Sequence, residues 1–408
     1  MRILLIAILC VFSARIFAQE TFTIQDAIDL AIKQNPEIRA AAFQVEAQRQ
    51  LKKTSTDLPK TDVTLLYGQY NSYTKNDNNI SITQSIPFSS FGSQGKLNRS
   101  QITASELRKA STENQLIMEV KQTYYQLAYS YSLRKLLLQQ DSLFEGFFRA
   151  ASLRYQAGET KLLEQTTAEV QRNEAKNRLR RNESDIVVLR TQMKSLLNSS
   201  ATPDIAEREL KEISLSTGLD SSIISSNPSL ALARQEIEVA ASERKVMASK
   251  AAPDLLLGFF TQTLTGAADP ETGSIANSSE RFTGFQVGVA LPIWFGPHQG
   301  RVRAAEYKKK VAESNYATQR LNLDSQLEQA IQTFQRNKNS LEYYRSSALP
   351  NADLILKQSQ AGFRGGDIGY TEYLLGVRNV ISIREGYLQT LNEFNQSIVY
   401  IEFLSGNK

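Results

Sequence analysis

Two stretches of this chain carry the same series of breakers and hydrophobic periods, and that duplication constrains the fold more than any single motif. The first copy begins at Asn35-Pro36-Glu37-Ile38 and the second at Asn227-Pro228-Ser229-Leu230. In each, a helical stretch runs to a proline, Pro59 or Pro253, and two short alternating segments then end at Pro87 or Pro292. Gln94-Gly95-Lys96 or Gln299-Gly300-Arg301 opens a very long helical run. Late in that run comes a glycine break, Tyr155-Gln156-Ala157-Gly158 or Phe363-Arg364-Gly365-Gly366, and six residues past each glycine stands a glutamate, Glu164 or Glu372. A unit of helix, hairpin, long helix, glycine turn and helix is far longer than a solenoid repeat. The copies cover about residues 23–198 and 227–406, and the aperiodic segment 199–226 reads as a strap between them.

Residues 1–18 read as a secretory signal: Arg2 supplies the charge, Ile3 to Phe12 the apolar stretch, and Ala18 the small residue before a cut at Gln19. The apolar run is too short for a spanning helix. Cys10, the one cysteine, lies inside this segment without the small preceding residue that a lipoprotein signal wants. The mature chain, residues 19–408, would then hold no cysteine, which excludes disulfides, thiol catalysis and thiolate metal ligation. Loss of Arg2 and Arg15 takes the net charge from +5 to +3. The remaining basic residues are interleaved with acids along helices, so nothing points to nucleic acid. No later segment has the apolar length of a membrane-spanning helix, which leaves a soluble chain or one that enters a membrane as strands.

Thr23 with Asp26 forms a capping pair for a short helix, and Asn35-Pro36 ends it and starts the next, which runs to about Thr56. The period then drops from 3.6 to 2. In Ile80-Ser81-Ile82-Thr83-Gln84-Ser85-Ile86 the isoleucines alternate with polar residues. Its partner, Val63 to Tyr70, puts Val63, Leu65 and Tyr67 on one face. In the second copy Phe285, Val287, Val289 and Leu291 alternate with Gly284, Gln286, Gly288 and Ala290, after a strand over Leu255 to Leu264. Such strands fit the wall of an outer-membrane barrel, or an ordinary antiparallel sheet on a soluble core. Four strands cannot close a transmembrane barrel, and open edges cannot face lipid, so strands that span a membrane require several chains to pool them.

The long runs from Lys96 to Arg154 and from Arg301 to Gln360 are each about 90 Å as helix, and Pro350 should kink or restart the second. The returning helices, Thr160 to Leu197 and Ile368 to Leu404, are about 55 Å. Each with a stacked upper helix matches a long one, which suits a tall cylinder. Leu116, Val120, Tyr124, Leu127 and Tyr131, and likewise Leu323, Leu327, Ala330 and Phe334, step by three or four as coiled-coil stripes. The fold class is therefore mostly α with a small β part, duplicated. There is no metal-ligand cluster, Ser/His/Asp arrangement or phosphate-cradling loop, so neither an enzyme nor a cofactor is expected. His298, the only histidine, reads as a surface residue.

The ordered set, in duplicate, resembles the TolC-type outer membrane efflux proteins over nearly the whole mature chain. Leu58-Pro59-Lys60-Thr61, Tyr67-Gly68-Gln69-Tyr70, Asp141-Ser142-Leu143-Phe144 and Gly158-Glu159-Thr160 look most like the heavy-metal branch, which serves cobalt–zinc–cadmium or copper–silver exporters. The resemblance implies a homotrimer in outer-membrane lipid, with a trimeric twelve-stranded barrel above a coiled-coil helical barrel crossing the periplasm. A periplasmic adaptor and an inner-membrane pump of the resistance–nodulation–division type are the implied partners. The chain itself would be the passive exit duct. A duct for drugs or a secreted polypeptide, and a pore-less secreted coiled-coil scaffold, are the alternatives.

The resemblance also assigns roles at the glycine turns, which become the periplasmic tips. Glu372 and Glu164 stand at acidic gate positions, where three carboxylates around one axis would repel one another and attract cations. As ordinary residues they would be solvated glutamates near helix N-termini. Tyr155, Gly158, Glu159, Thr160, Phe363, Arg364, Gly366 and Asp367 would form the tip turns and dock the adaptor. Phe363 stands where relatives carry a gate tyrosine, Ile368 where some carry a gate arginine, and Leu375 where some carry a second acid.

Overall fold

The computed structural model describes residues 21–70, 73–215, 218 and 220–406. The signal segment expected over residues 1–18 lies outside them. The chain divides into two compact units: one holds residues 41–110 and 228–321, the other residues up to 40, 111–227 and from 322 onward.

The duplication is visible element by element. In the first copy α1 (Ile24–Gln34) and α2 (Pro36–Leu51) precede β2 (Asp62–Tyr67), β3 (Asn78–Ile86), α3 (Phe88–Gln156) and α4 (Leu162–Leu197). In the second, α5 (Pro228–Ser249) precedes β5 (Asp254–Gln262), β6 (Phe282–Ala290), α6 (Phe295–Tyr343), α7 (Leu349–Gly365) and α8 (Tyr370–Ser405). Two-residue strands β1 (Thr21–Phe22) and β4 (Asp204–Ile205) pair in parallel. Thr23 caps α1 in a complete capping box with Asp26.

One unit contains the sheet. Its order is β2-β3-β5-β6, every pair antiparallel, so the two copies join at β3 and β5. Period-2 alternation in all four strands falls into one register. Val63, Ile82, Phe259 and Phe285 form a row across the sheet, and Ile86, Leu255 and Val289 form another. This face is apolar and uncovered: Val63, Leu65, Tyr67, Ile82, Phe259, Val287 and Val289 are exposed, and Phe285 is 87% exposed. The other face carries Thr64, Ser81, Thr83, Ser85, Gly258, Gly284, Gln286 and Gly288. A Cβ on Gly284 would lie 2.7 Å from the Phe260 ring, so any larger residue there would force that ring to move. In the same unit α2, α3, α5 and α6 pack side by side. Leu97 and Ala104 meet Val239 and Val246, and ion pairs Arg49–Glu106 (2.8 Å) and Arg244–Glu306 (2.5 Å) flank that core.

The other unit holds the paired long helices. The predicted stripes are buried: Leu116, Val120, Tyr124 and Leu127 in α3, and Leu323, Leu327, Ala330 and Phe334 in α6. Tyr131 is only half-buried and donates its hydroxyl to Asp204 at 2.7 Å. The Asn-Pro starts have a common purpose. Asn35 donates its amide to the Leu196 carbonyl at 3.1 Å and Asn227 to Leu404 at 3.0 Å, so each buried asparagine satisfies the end of a returning helix where the next begins. The aperiodic strap is held by polar bonds rather than an apolar stripe. Leu210 donates its N–H to Ser132 (2.8 Å), Ile213 to Asn395 (3.2 Å), and Glu212 pairs with Arg345.

Two boundaries differ from expectation. The long helices open at Phe88 and Phe295, not at Gln94-Gly95-Lys96 and Gln299-Gly300-Arg301. Helical hydrogen bonding outweighs the roughly 1 kcal/mol that an interior glycine costs, and Pro297 is tolerated in a first turn where no donor is needed. Pro350 restarts the second run as expected, with α6 ending at Tyr343 and a new helix opening at Leu349. A π-helical turn, Tyr344–Ala348, adds the residue that relieves the clash of the proline ring, and α7 continues with proline in its first turn.

Candidate functional site: the two hairpin tips

Each glycine turn is built the same way. Gly158 and Gly366 adopt φ of 77° and 80°, a left-handed conformation that glycine takes without Cβ strain. The N–H of Glu159 returns to the Arg154 carbonyl at 2.9 Å, and that of Asp367 to the Gly362 carbonyl at 2.9 Å, closing both helix ends. Glu164 and Glu372 then stand in the first turns of α4 and α8.

The side chains around the two acids differ. In the first tip Arg154 Nη1 lies 2.8 Å from Glu164 Oε1, and Thr160 donates its hydroxyl to Oε2. The Arg154 side chain is 43% exposed and that of Glu164 20%. Glu159 is 3.9 Å from Arg154 at the solvent edge. In the second tip Gly362 and Ile368 occupy the places equivalent to Arg154 and Thr160, four residues before and two after the turn glycine. They pack on each other, with the Ile368 side chain 3.4 Å from where a Gly362 Cβ would be. Glu372 is exposed, and among the described residues no side chain pairs with it.

Of the other expected tip residues, Tyr155, Glu159, Arg364, Gly366 and Asp367 are exposed, while Thr160 is half-buried on Glu164. Phe363, half-buried, stacks on Tyr373 with ring centroids 4.7 Å apart. Tyr373 in turn meets Phe147 of α3 edge-on at 5.3 Å, and Phe147 meets Tyr370 at 5.8 Å and Phe144 at 6.0 Å. Phe144, Ala175 and Leu374 form the buried centre of this cluster. The aromatic ladder ties the second tip to the first hairpin, and sequence reasoning missed it. Its signal was the paired spacing Phe144/Phe147 and Tyr370/Tyr373 on adjoining helices. Burial, with the Glu164 charge nearby, pushes the Tyr370 phenol up to about 12. A second tie lies farther along, where Glu385 of α8 accepts from Gln140 at 2.7 Å and pairs with Arg178 at 2.7 Å.

His298 lies 3.3 Å from Arg301, and the described residues contain no group of three His, Cys, Asp or Glu side chains placed to hold a metal. No described helix is long and apolar enough to cross a membrane.

Four strands with one uncovered apolar face, joined to antiparallel helical hairpins with glycine tips, are the features of a protein that enters a membrane through strands. The family model described as "Outer membrane efflux protein" matches residues 27–199 and 219–407, and the chain belongs to that family. It is therefore an outer membrane protein of an efflux channel family. A curated relative, the cobalt-zinc-cadmium resistance protein CzcC of Cupriavidus metallidurans, is 25% identical over 262 residues, 63% of this chain and 60% of that protein's length. Among solved structures the transmembrane channel CusC superposes with a TM-score of 0.77 at 16% identity, covering 95% of this chain and 92% of CusC. The outer-membrane channel OprN gives 0.79 at 16% identity, over 94% and 90%. VceC of Vibrio cholerae gives 0.75 at 14% identity, over 94% and 96%. The chain thus has the TolC-type fold.

Proposed function

We propose that this chain is the outer-membrane exit duct of a tripartite efflux system and that it passes heavy-metal cations. One observation carries the reading. The four-stranded sheet has a continuous exposed apolar face, and its outer strands β2 and β6 each pair on one side only. In lipid each unpaired backbone group costs several kcal/mol, so these edges must meet partners from other copies. Three chains of four strands would close one barrel of about twelve, within the size range of such barrels. The helical hairpins, pooled in the same way, would line the conduit, with the two repeats acting as one channel domain.

At the tips Tyr155, Gly158, Glu159, Thr160, Phe363, Arg364, Gly366 and Asp367 form the surface offered to a periplasmic adaptor, and an inner-membrane pump of the resistance–nodulation–division class supplies the energy. Glu372, three copies around one axis, concentrates cations at the constriction. The similarity to CzcC supports heavy metals as cargo. A duct needs no tight metal site, since one would slow export.

The test is deletion of the gene followed by growth on zinc, cobalt, cadmium, copper and silver, with membrane fractionation and cross-linking of the tagged protein. Increased sensitivity to at least one metal and a cross-linked trimer in the outer membrane are expected. Unchanged sensitivity to all five metals would move the cargo to drugs or polypeptides. A soluble monomer would end the channel reading altogether.

A further inference from the structure

We infer that Arg154 sets the ion selectivity of the duct by neutralising Glu164, so that of the two repeated glutamates only Glu372 stands uncompensated at the constriction. This rests on the reading of Glu372 as a gate residue. Both copies place a glutamate six residues after the turn glycine, and two acidic rings would follow if both carboxylates were free. In the first copy one oxygen is 2.8 Å from a guanidinium and the other is taken by the Thr160 hydroxyl. In the second copy both partners are replaced, by Gly362 and Ile368, neither of which can donate a side-chain hydrogen bond. The two tips are therefore alternatives at the same three positions: an acid with a cation and a hydroxyl, and an acid with neither.

Neutralisation does not depend on the ion pair being strong. Opposite charges this close present a dipole, whose field falls off faster than that of a lone carboxylate. A permeating cation meets the full charge of Glu372 and little of Glu164. Arg154 is thus a specificity-determining residue, although nothing in its position in the last turn of α3 requires it to touch cargo.

The experiment is single-channel recording of the purified full-length protein in planar bilayers, with reversal potentials measured across a KCl gradient. Arg154→Gln should raise the cation-over-anion permeability ratio by about twofold or more, because it uncovers the other repeated glutamate of each chain. Arg154→Lys should restore the native ratio, as should the exchanged pair R154E/E164R. The double variant R154Q/E164Q removes both charges and should also keep the native ratio. High salt should erase the R154Q effect. An unchanged ratio in R154Q, or a lowered ratio in R154Q/E164Q, would overturn the inference. Glu372→Gln provides the separate control. If it leaves selectivity unaltered, the gate reading of Glu372 fails, whatever Arg154 does.

Discussion

The two tips of this chain share one backbone turn and hold it by opposite means. The first is clamped by polar groups, Arg154, Thr160 and Glu164, all drawn from its own hairpin. The second has no such clamp and is held by rings, Phe363 on Tyr373 and Tyr373 on Phe147, the last from the other hairpin. A polar clamp at a half-exposed site contributes little to stability but fixes where charge is presented. An aromatic ladder contributes more, through buried area and ring geometry, and carries no charge. The first tip is therefore a cap whose repeated acid, Glu164, is paired within its own hairpin. The second depends on its neighbour and leaves its acid free.

The largest expected effect comes from breaking the ladder. Tyr373→Ala removes a buried ring and should destabilise the second tip by ~3–5 kcal/mol. Faster hydrogen exchange over residues 363–377, with residues 154–164 unchanged, is the expected signature. Equal acceleration in both tips would show that they are not separately held. Next, valine at either turn glycine forces a β-branched residue into positive φ, at a cost on the order of 1–3 kcal/mol each. Gly158→Val and Gly366→Val should lower the melting temperature by similar amounts, because the turn geometry is common to both. Unequal losses would place the difference in the backbone rather than in the side chains.

A pH titration sharpens the contrast further. The Tyr370 phenol is raised from 10.0 to about 12, chiefly by burial and secondarily by Glu164. Its contribution to stability is fully present below pH 10 and is lost as pH rises from there through about 12. The melting temperature should therefore fall over that window, and Tyr370→Phe should lessen the fall. The smallest stability effect belongs to Arg154→Gln. The pair is solvent-screened, so at most ~1 kcal/mol is expected, measured as a melting temperature close to that of the native protein. A large loss would mean that the first tip, too, relies on its side chains to fold.

Much of the architecture was legible from local pattern. The Asn-Pro starts, the glycine turns, the period-2 strands and the stripes of α3 and α6 all depend on residues a few positions apart. The stripe ending at Tyr131 was less complete, since that ring turns to Asp204 on the strap. The strap itself had no period to read, because backbone and side-chain hydrogen bonds to Ser132 and Asn395 hold it rather than an apolar face. Helix starts at Phe88 and Phe295 were placed late because glycine marks a breaker in sequence, yet costs little once a helix is packed. At the tips, Glu164 and Glu372 stand in the first turns of α4 and α8, but their different surroundings left no mark in the local pattern.

The sequence by itself determined the duplication, the order of elements and the alternation that makes one face of every strand apolar, because each follows from backbone geometry acting over one or two turns. Tertiary structure alone decided which strands adjoin where the copies meet, β3 on β5, and which rings close the second tip. It also decided that Glu164 is paired while Glu372 is free. The participants in the first two are far apart in the chain. In the third the partners are near in sequence, but the turn must form before Arg154 can reach across it. Pairing energy depends on distance in space, and at those positions spacing along the chain carries no record of it.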